Sequence, residues 1–391
     1  MKKYTVELSS LIYYISIYAY FLASMLSISM IGQLPGVSTL CTVLRFFGVI
    51  GAMTSFAFRT RFAKKYCILT MFLIVGLIIS AFFTGDHGAL LMTLVIISAW
   101  GADGNSILKI FLGSSGLIVF ISWMMARAGL IQDRVFQFWR ISGKPLLRHS
   151  YGMTYTTTFA AAVFFIIAAV FYLFYEKDKR NIFKIFIVGV SSIILYFTYK
   201  GTQGRLEFGM GVILLLLFLL MSVWNKFCAS KSGKFILTAL PIICVICSFG
   251  SAYMFMINQT KYAFLDWLMT GRLSIAAKAI KQYGINLFGH TVRMIGSGTV
   301  GTVDVTDYFF IDSFYINWTI VYGVVVVVVL LVLYIWINKK TIENRNYKLM
   351  ICLSLVYLHG IIMSSIMHPE LNPFFCVAIA EISSYYQLDK E

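Results

Sequence analysis

Residues 258–312 read NQTKYAFLDWLMTGRLSIAAKAIKQYGINLFGHTVRMIGSGTVGTVDVTDYFFID, the longest stretch of the chain too polar to cross a bilayer, with apolar runs on both sides. Within it, Leu273, Ala276, Ala277 and Ile280 fall on one face of a helix, and Lys278, Lys281 and Gln282 on another. Thr270 stands where an N-cap belongs, and Gly284 where a left-handed residue would close the helix. Arg272 falls in the first turn, where unpaired backbone N–H groups and the helix dipole already favour an anion. The glycine-rich segment GHTVRMIGSGTVG and three carboxylates, Asp304, Asp307 and Asp312, follow. A polar loop of this kind between membrane spans reads as an active site.

The surrounding composition supports that setting. Of 391 residues, 60% are hydrophobic and only 12% charged, with a mean hydropathy of +0.84. Soluble domains keep roughly a quarter of their residues charged, so the chain reads as a polytopic membrane protein. The first apolar run is long enough to span, and no small-residue cleavage pattern follows Met-Lys-Lys. The seven cysteines show no metal-ligand spacing; Cys67, Cys244, Cys247, Cys352 and Cys376 fall inside apolar runs, and the CxxC pair Cys244 and Cys247, lying mid-span, reads as small buried hydrophobes. The net charge of +16 first fixes topology and does not call for nucleic acid.

Apolar windows of about 20 residues fall at 11–31, 37–58, 67–84, 88–102, 107–127, 155–175, 184–200, 206–225, 235–257, 313–337, 349–367 and 370–386. Alternate connections, RTRFAKK, EKDKRNIFK, NKFCASKSGK and NKKTIENRNYK, are basic, which places them and both termini in the cytoplasm. The expected fold is an all-α membrane protein of about twelve transmembrane helices, one integral membrane domain over residues 1–391. Its outer loops are 128–154 and 258–312, the larger lying between spans nine and ten. Both break the charge rule: the first carries Arg134, Arg140, Lys144 and Arg148 against Asp133, the second Lys261, Arg272, Lys278, Lys281 and Arg293. Basic residues on the outer face weaken orientation, and a polyanionic or pyrophosphate-bearing substrate is a reason for them to be there.

Arg205 follows the turn KGTQG at the mouth of a span, either snorkelling to headgroups or facing a phosphate at a helix start. Arg148, next to His149, is a third phosphate clamp or a solvated loop charge. Asp312 opens the span IDSFYINWTIVYG, as a cap or as a base for a sugar hydroxyl. Asp304 and Asp307, three apart, are weak metal candidates. Arg140, Asp266, His290, His368 and Glu370 are outer-face polar residues, either solvated or structural groups or the lining of a sugar-binding cleft. Arg45, isolated in mid-span, is expected to face the bundle interior.

In order along the chain, four phrases resemble those of the O-antigen polymerase/ligase family, and within it the Wzy-type O-antigen and capsular polysaccharide polymerases. RHSYGMTYTTTFAA resembles that family's R-x-S-x-G-F start of a span, with Tyr155 and Thr156 where Pro and Asn are often found. KGTQGRLEFGMGVILLLL is similar to its Gly-Arg turn before an apolar helix, LMTGRLSIAAKAIKQYGINLFG to its GR-helix phrase, and DSFYINWTIVYG to the start of the span after the large loop. The ligase branch commonly carries His where this chain has Asp312.

The resemblance implies a GT-C-like, metal-independent, inverting glycosyltransferase without a cofactor, in the bacterial plasma membrane with an extracytoplasmic active site. Its donor would be a glycan on undecaprenyl pyrophosphate and its acceptor another lipid-linked repeat unit, with membrane lipids and a chain-length regulator as partners. Arg205, Arg272 and Arg148 would hold the pyrophosphate, and Asp312 would orient or deprotonate the acceptor hydroxyl. The alternatives are an O-antigen ligase and, in another class, a lipid-linked sugar flippase. The latter lacks paired halves or an intramembrane acid for proton coupling.

Overall fold

The computed structural model describes residues 2–59, 62–139, 145–175, 181–296 and 308–388. Apolar runs with no water to bond their backbone close their hydrogen bonds within the segment, so nearly every run is helical. In chain order the helices are α1 (Lys2–Ser27), α2 (Val37–Ala57), α3 (Lys64–Thr84), α4 (Gly88–Ile97), α5 (Gly104–Phe111) and α6 (Leu117–Arg127). A hairpin follows, β1 (Val135–Trp139) and β2 (Pro145–His149). Then come α7 (Thr156–Phe174), α8 (Asn181–Thr202), α9 (Arg205–Leu219), α10 (Met221–Ala229), α11 (Lys231–Ile257), α12 (Gln259–Leu268) and α13 (Arg272–Tyr283). Last are α14 (Phe314–Tyr322), α15 (Val324–Glu343), α16 (Tyr347–His359) and α17 (Phe374–Leu388).

Among the described residues, eight helices are long and apolar enough to cross a membrane, and nine if the bent pair α9–α10 is one span. The chain is an α-helical polytopic membrane protein. The segment read as one span over 206–225 is broken: α9 and α10 meet at 84°. The loop 128–154 is not irregular but holds the antiparallel hairpin, with Val135 opposite His149 and Phe136 opposite Arg148.

The chain divides into two compact units, the first made of residues 1–60, 98–224 and 369–381, the second of 61–97, 225–368 and 382–391. In the first unit, α1 and α2 approach closely because α2 carries glycines on its contact face. A Cβ on Gly48 would meet Tyr20 Cβ at 2.8 Å, and one on Gly51 would meet Ser16 Oγ at 2.2 Å. Small residues at such a seam let backbones approach where no hydrophobic force separates protein from lipid. Arg45 lies on this unit's α2, half-buried, with Nε toward its own Cys41 carbonyl at 3.4 Å.

In the second unit, Pro241 sits inside α11 and cannot bond back to the Leu237 carbonyl. Asn338 of α15 supplies the missing donor, its Nδ2 giving a hydrogen bond to Leu237 O at 2.8 Å, while its Oδ1 accepts from Tyr357 Oη of α16 at 2.9 Å. A buried side-chain amide thus ties three helices together around a proline-broken backbone. The cysteines divide: Cys244, Cys352 and Cys376 are buried, whereas Cys67 and Cys247 are exposed, because the apolar face they occupy points out of the bundle.

The large loop begins with two helices rather than one. α13 has the expected amphipathic pattern, with Leu273, Ala276 and Ala277 buried and Lys278, Lys281 and Gln282 exposed. Its buried face packs on Ala252 and Phe255 of α11 and on Ile316 and Ile320 of α14. Gly284 closes α13 with a positive φ of 69° but an extended ψ of −165°. Beyond it, the loop is pinned where α14 meets α15. Val324 N donates to Asn286 O at 3.0 Å, and His290 N donates to Ile320 O at 2.9 Å.

Candidate active site

The start of α13 is built by an unusual turn. Thr270 and Gly271 both take the left-handed conformation, with φ of 58° and 80°. Thr270 is therefore not the N-cap. That position falls to Gly271, and the side chain that caps the helix is Asp266, whose Oδ1 accepts from Ser274 N at 2.9 Å. Asp266, expected in a sugar cleft, is held in this structural bond. The Ser274 hydroxyl returns to Gly271 O at 2.8 Å and Gly271 N donates to Asp266 O at 2.8 Å, so the turn is closed on both sides.

This turn aims Arg272 at Asp312. Arg272 Nε lies 3.2 Å from Asp312 Oδ2, and each side chain is 22% exposed. Nη1 donates to Thr270 Oγ1 at 3.0 Å. The contact with Asp312 is an ion pair without alignment, for the buried Nε–H meets no hydrogen-bond acceptor on its own line. Burial raises the Asp312 carboxyl above its usual range, and the Arg272 charge pulls it back. The backbone around Asp312 is fixed: Asn317 Nδ2 donates to Ile311 O at 2.9 Å, and Phe314 N donates to Gly360 O at 2.9 Å.

The last contact brings the end of α16 to the site. His359 there is fully buried, and near enough to Arg272 for that charge to act on its ring. Nothing in the residue pattern singled it out beyond a histidine and glycine closing an apolar run. His290, by contrast, bonds near the other end of α14, its ring 6.3 Å from that of Tyr283. His368 is half-buried after the turn Ser364–Met367, its N–H given to Ser365 O at 3.1 Å.

A second polar centre lies in the first unit. Arg148, on β2, donates from Nε to Thr202 O at 2.8 Å, and Thr202 ends α8 three residues before Arg205. Arg205 is the first residue of α9, exposed, behind the N-cap Gly204. A Cβ on Gly204 would meet Glu207 Oε2 at 2.7 Å, so the buried Glu207 carboxylate lies close against this turn. Beside Arg148, His149 Nδ1 pairs with Asp133 Oδ2 at 2.7 Å. Asp133 Oδ1 accepts from Tyr151 N at 2.8 Å. Burial and the Asp133 charge raise the Tyr151 phenol, while Arg127 lowers it.

No protein-family model, no curated protein and no solved structure matches this chain. What the site does must come from its chemistry.

Arg272 and Asp312 meet within the second unit, and Arg148 and Arg205 flank one turn within the first. Arg140, Asp304 and Asp307 lie outside the described residues, and Glu370 is a buried residue of the first unit. Among the described residues, no three His, Cys, Asp or Glu side chains gather as a metal ion would require. Each centre offers a guanidinium group at a helix start to an anion; the Arg272 centre adds a carboxylate, and the Arg148–Arg205 turn a carboxylate-bound imidazole next to Arg148 in sequence.

Proposed function

We propose that this chain is a membrane glycosyltransferase that polymerises lipid-linked oligosaccharide repeat units into O-antigen or capsular polysaccharide. The donor is a glycan on undecaprenyl diphosphate and the acceptor a hydroxyl of another lipid-linked unit. The bond broken joins the anomeric carbon to a diphosphate oxygen, so negative charge grows on the leaving group. Guanidinium groups placed where that charge develops stabilise the transition state more than the ground state.

The observation that carries this reading is Arg272. It stands at a helix start with its Nε–H turned off the line to Asp312, a donor set for an anion that the carboxylate does not replace. Asp312 is the carboxylate that positions it, and within the first unit Arg148 and Arg205 form a second group of anion contacts. Eight spanning helices, the bent pair and three shorter apolar helices together make the twelve spans that this reading takes; a GT-C-like arrangement, cytoplasmic termini and the bacterial plasma membrane are part of the proposal. The positive-inside pattern supports an extracytoplasmic reaction.

The test is the glycan made in cells carrying Arg272→Ala or Arg205→Ala at unchanged protein level. Loss of long chains with single-repeat glycan retained is the expected result. Loss of all attached glycan would instead identify a ligase, and normal chain-length ladders from both variants would remove the proposal.

A further inference from the structure

The Asp133–His149 pair is built with more care than a loop contact needs. The hairpin register sets β1 and β2 so that Asp133, just before β1, comes opposite the residues that follow β2. Ser150 N donates to Arg134 O at 3.0 Å, and Arg134 N donates to Ser150 Oγ at 3.0 Å. Tyr151 then takes a left-handed φ of 51°, a conformation that disfavours a residue with a side chain, and Gly152 follows at 79°. That turn directs the Tyr151 N–H onto Asp133 Oδ1 at 2.8 Å and lays the Tyr151 ring on His149, centroids 5.7 Å apart and 17° from parallel. A Cβ on Gly152 would overlap Ser122 O, so the turn is also pressed against α6.

The consequence is chemical. Both Asp133 oxygens are engaged, one of them by Nδ1 of the imidazole at 2.7 Å. A neutral ring that donates Nδ1–H to a carboxylate carries its lone pair on Nε2. The tautomer is assigned from this network. The His149 side chain is 36% exposed, and among the described residues its ring has no second hydrogen-bond partner. The surroundings are cationic: Arg148 precedes it, and the segment that Arg148 grips at Thr202 leads directly to Arg205.

We propose that His149 is the base of the transfer and Asp133 its positioning residue. This rests on the glycosyl-transfer reading above. The acceptor hydroxyl gives its proton to His149 Nε2 while its oxygen pair bonds the donor's anomeric carbon. The bond from that carbon to the diphosphate oxygen breaks, and its electron pair leaves with the diphosphate. The products are the extended glycan, a lipid diphosphate one charge more negative and an imidazolium, which returns its proton to water. Within the dyad, His149 follows Arg148 directly in the chain, so the proton acceptor and a cation for the leaving diphosphate belong to one unit.

The experiment uses the purified full-length protein in liposomes. Its substrate is the polyprenyl-diphosphate oligosaccharides that accumulate in cells lacking the gene. His149→Ala and His149→Gln are compared with wild type for kcat and KM, with and without added imidazole, after their elution and thermal unfolding are matched to wild type. The expected result is a kcat at least 100-fold lower in both variants, a KM within threefold, and recovery of at least tenfold in His149→Ala on adding imidazole. Asp133→Asn should lower kcat without being rescued. A kcat within threefold of wild type, or a loss that imidazole does not relieve in a matched fold, overturns the assignment. Polymer absent from the wild-type reaction would instead sink the transferase reading on which it rests.

Discussion

Arg272 and Asp312 face each other across 3.2 Å with both side chains largely withdrawn from solvent, and this sets a pH dependence of known sign. Burial raises the Asp312 carboxyl, so the folded state holds that proton more tightly than the unfolded chain does. The group's contribution to stability is complete below its ordinary value of 3.8 and is lost as pH rises through the folded value. Arg272 opposes the rise and limits the loss. Arg272→Gln should therefore lower the unfolding temperature more at pH 7.5 than at pH 4, by the equivalent of about 2 kcal/mol, between the values for exposed and buried pairs. Adding Asp312→Asn should restore most of it. Thermal unfolding in detergent at the two pH values decides the matter: an equal loss at both would show that the pair does not titrate as described.

Asp266 offers a second check, on the helix that carries Arg272. Its carboxylate caps α13 through Ser274 N at 2.9 Å. Asp266→Ala should cost about 1 kcal/mol and reduce polymer yield several-fold by loosening Arg272. Asp266→Asn, which keeps the accepting oxygen, should recover both. If Asn behaves like Ala in the yield of long-chain glycan while stability is restored, the carboxylate touches substrate after all.

The bond from Asn338 Nδ2 to Leu237 O predicts a coupling with Pro241, which leaves that carbonyl unpaired. Asn338→Leu strands the carbonyl and the Tyr357 hydroxyl, at a cost of about 2 kcal/mol for a buried group left unsatisfied. On a Pro241→Ala background the new backbone N–H reaches Leu237 O, and the same substitution should cost about 1 kcal/mol less. A double-mutant cycle by denaturant unfolding measures the difference. Additive effects would mean that Asn338 is not serving the proline gap.

The sequence made the helical membrane architecture plain because a hydrophobic run of spanning length has few alternatives in lipid. It also marked Arg272 and Asp312 through local signals, a helix start and a span start. Their pairing was not legible, since it depends on how the loop closes over α14. The cap was misassigned to Thr270 because Ser, Thr and Asp share the N-cap preference, and only the left-handed turn at Thr270–Gly271 favours Asp266. His359 reaches the site from α16, a tertiary contact without a sequence mark. The Asp133–His149 pair did leave a trace: Val135-Phe136-Gln137-Phe138-Trp139 is an aromatic, β-branched run of the kind that forms strands. In a chain dominated by helical spans that trace was read as loop.

The return of the large loop rests on two glycines that face each other's backbone. Gly323, with φ of 93°, separates α14 from α15, and a Cβ there would stand 2.3 Å from Leu287 O. Gly289, with φ of 89°, would meet Val321 O at 2.0 Å. Backbone atoms cannot move aside as a flexible side chain can, and positive φ adds its own cost. Gly323→Ala should therefore destabilise by about 3 kcal/mol or more, the sum of strain and lost backbone pairing from Val324 N to Asn286 O. Gly250→Ala, in α11 with open space around its Cα, should be neutral or slightly stabilising. Comparing the two variants by thermal unfolding separates a backbone seam from ordinary helix propensity. A Gly323→Ala protein as stable as wild type would mean that the loop and the α14–α15 junction are not packed in this way.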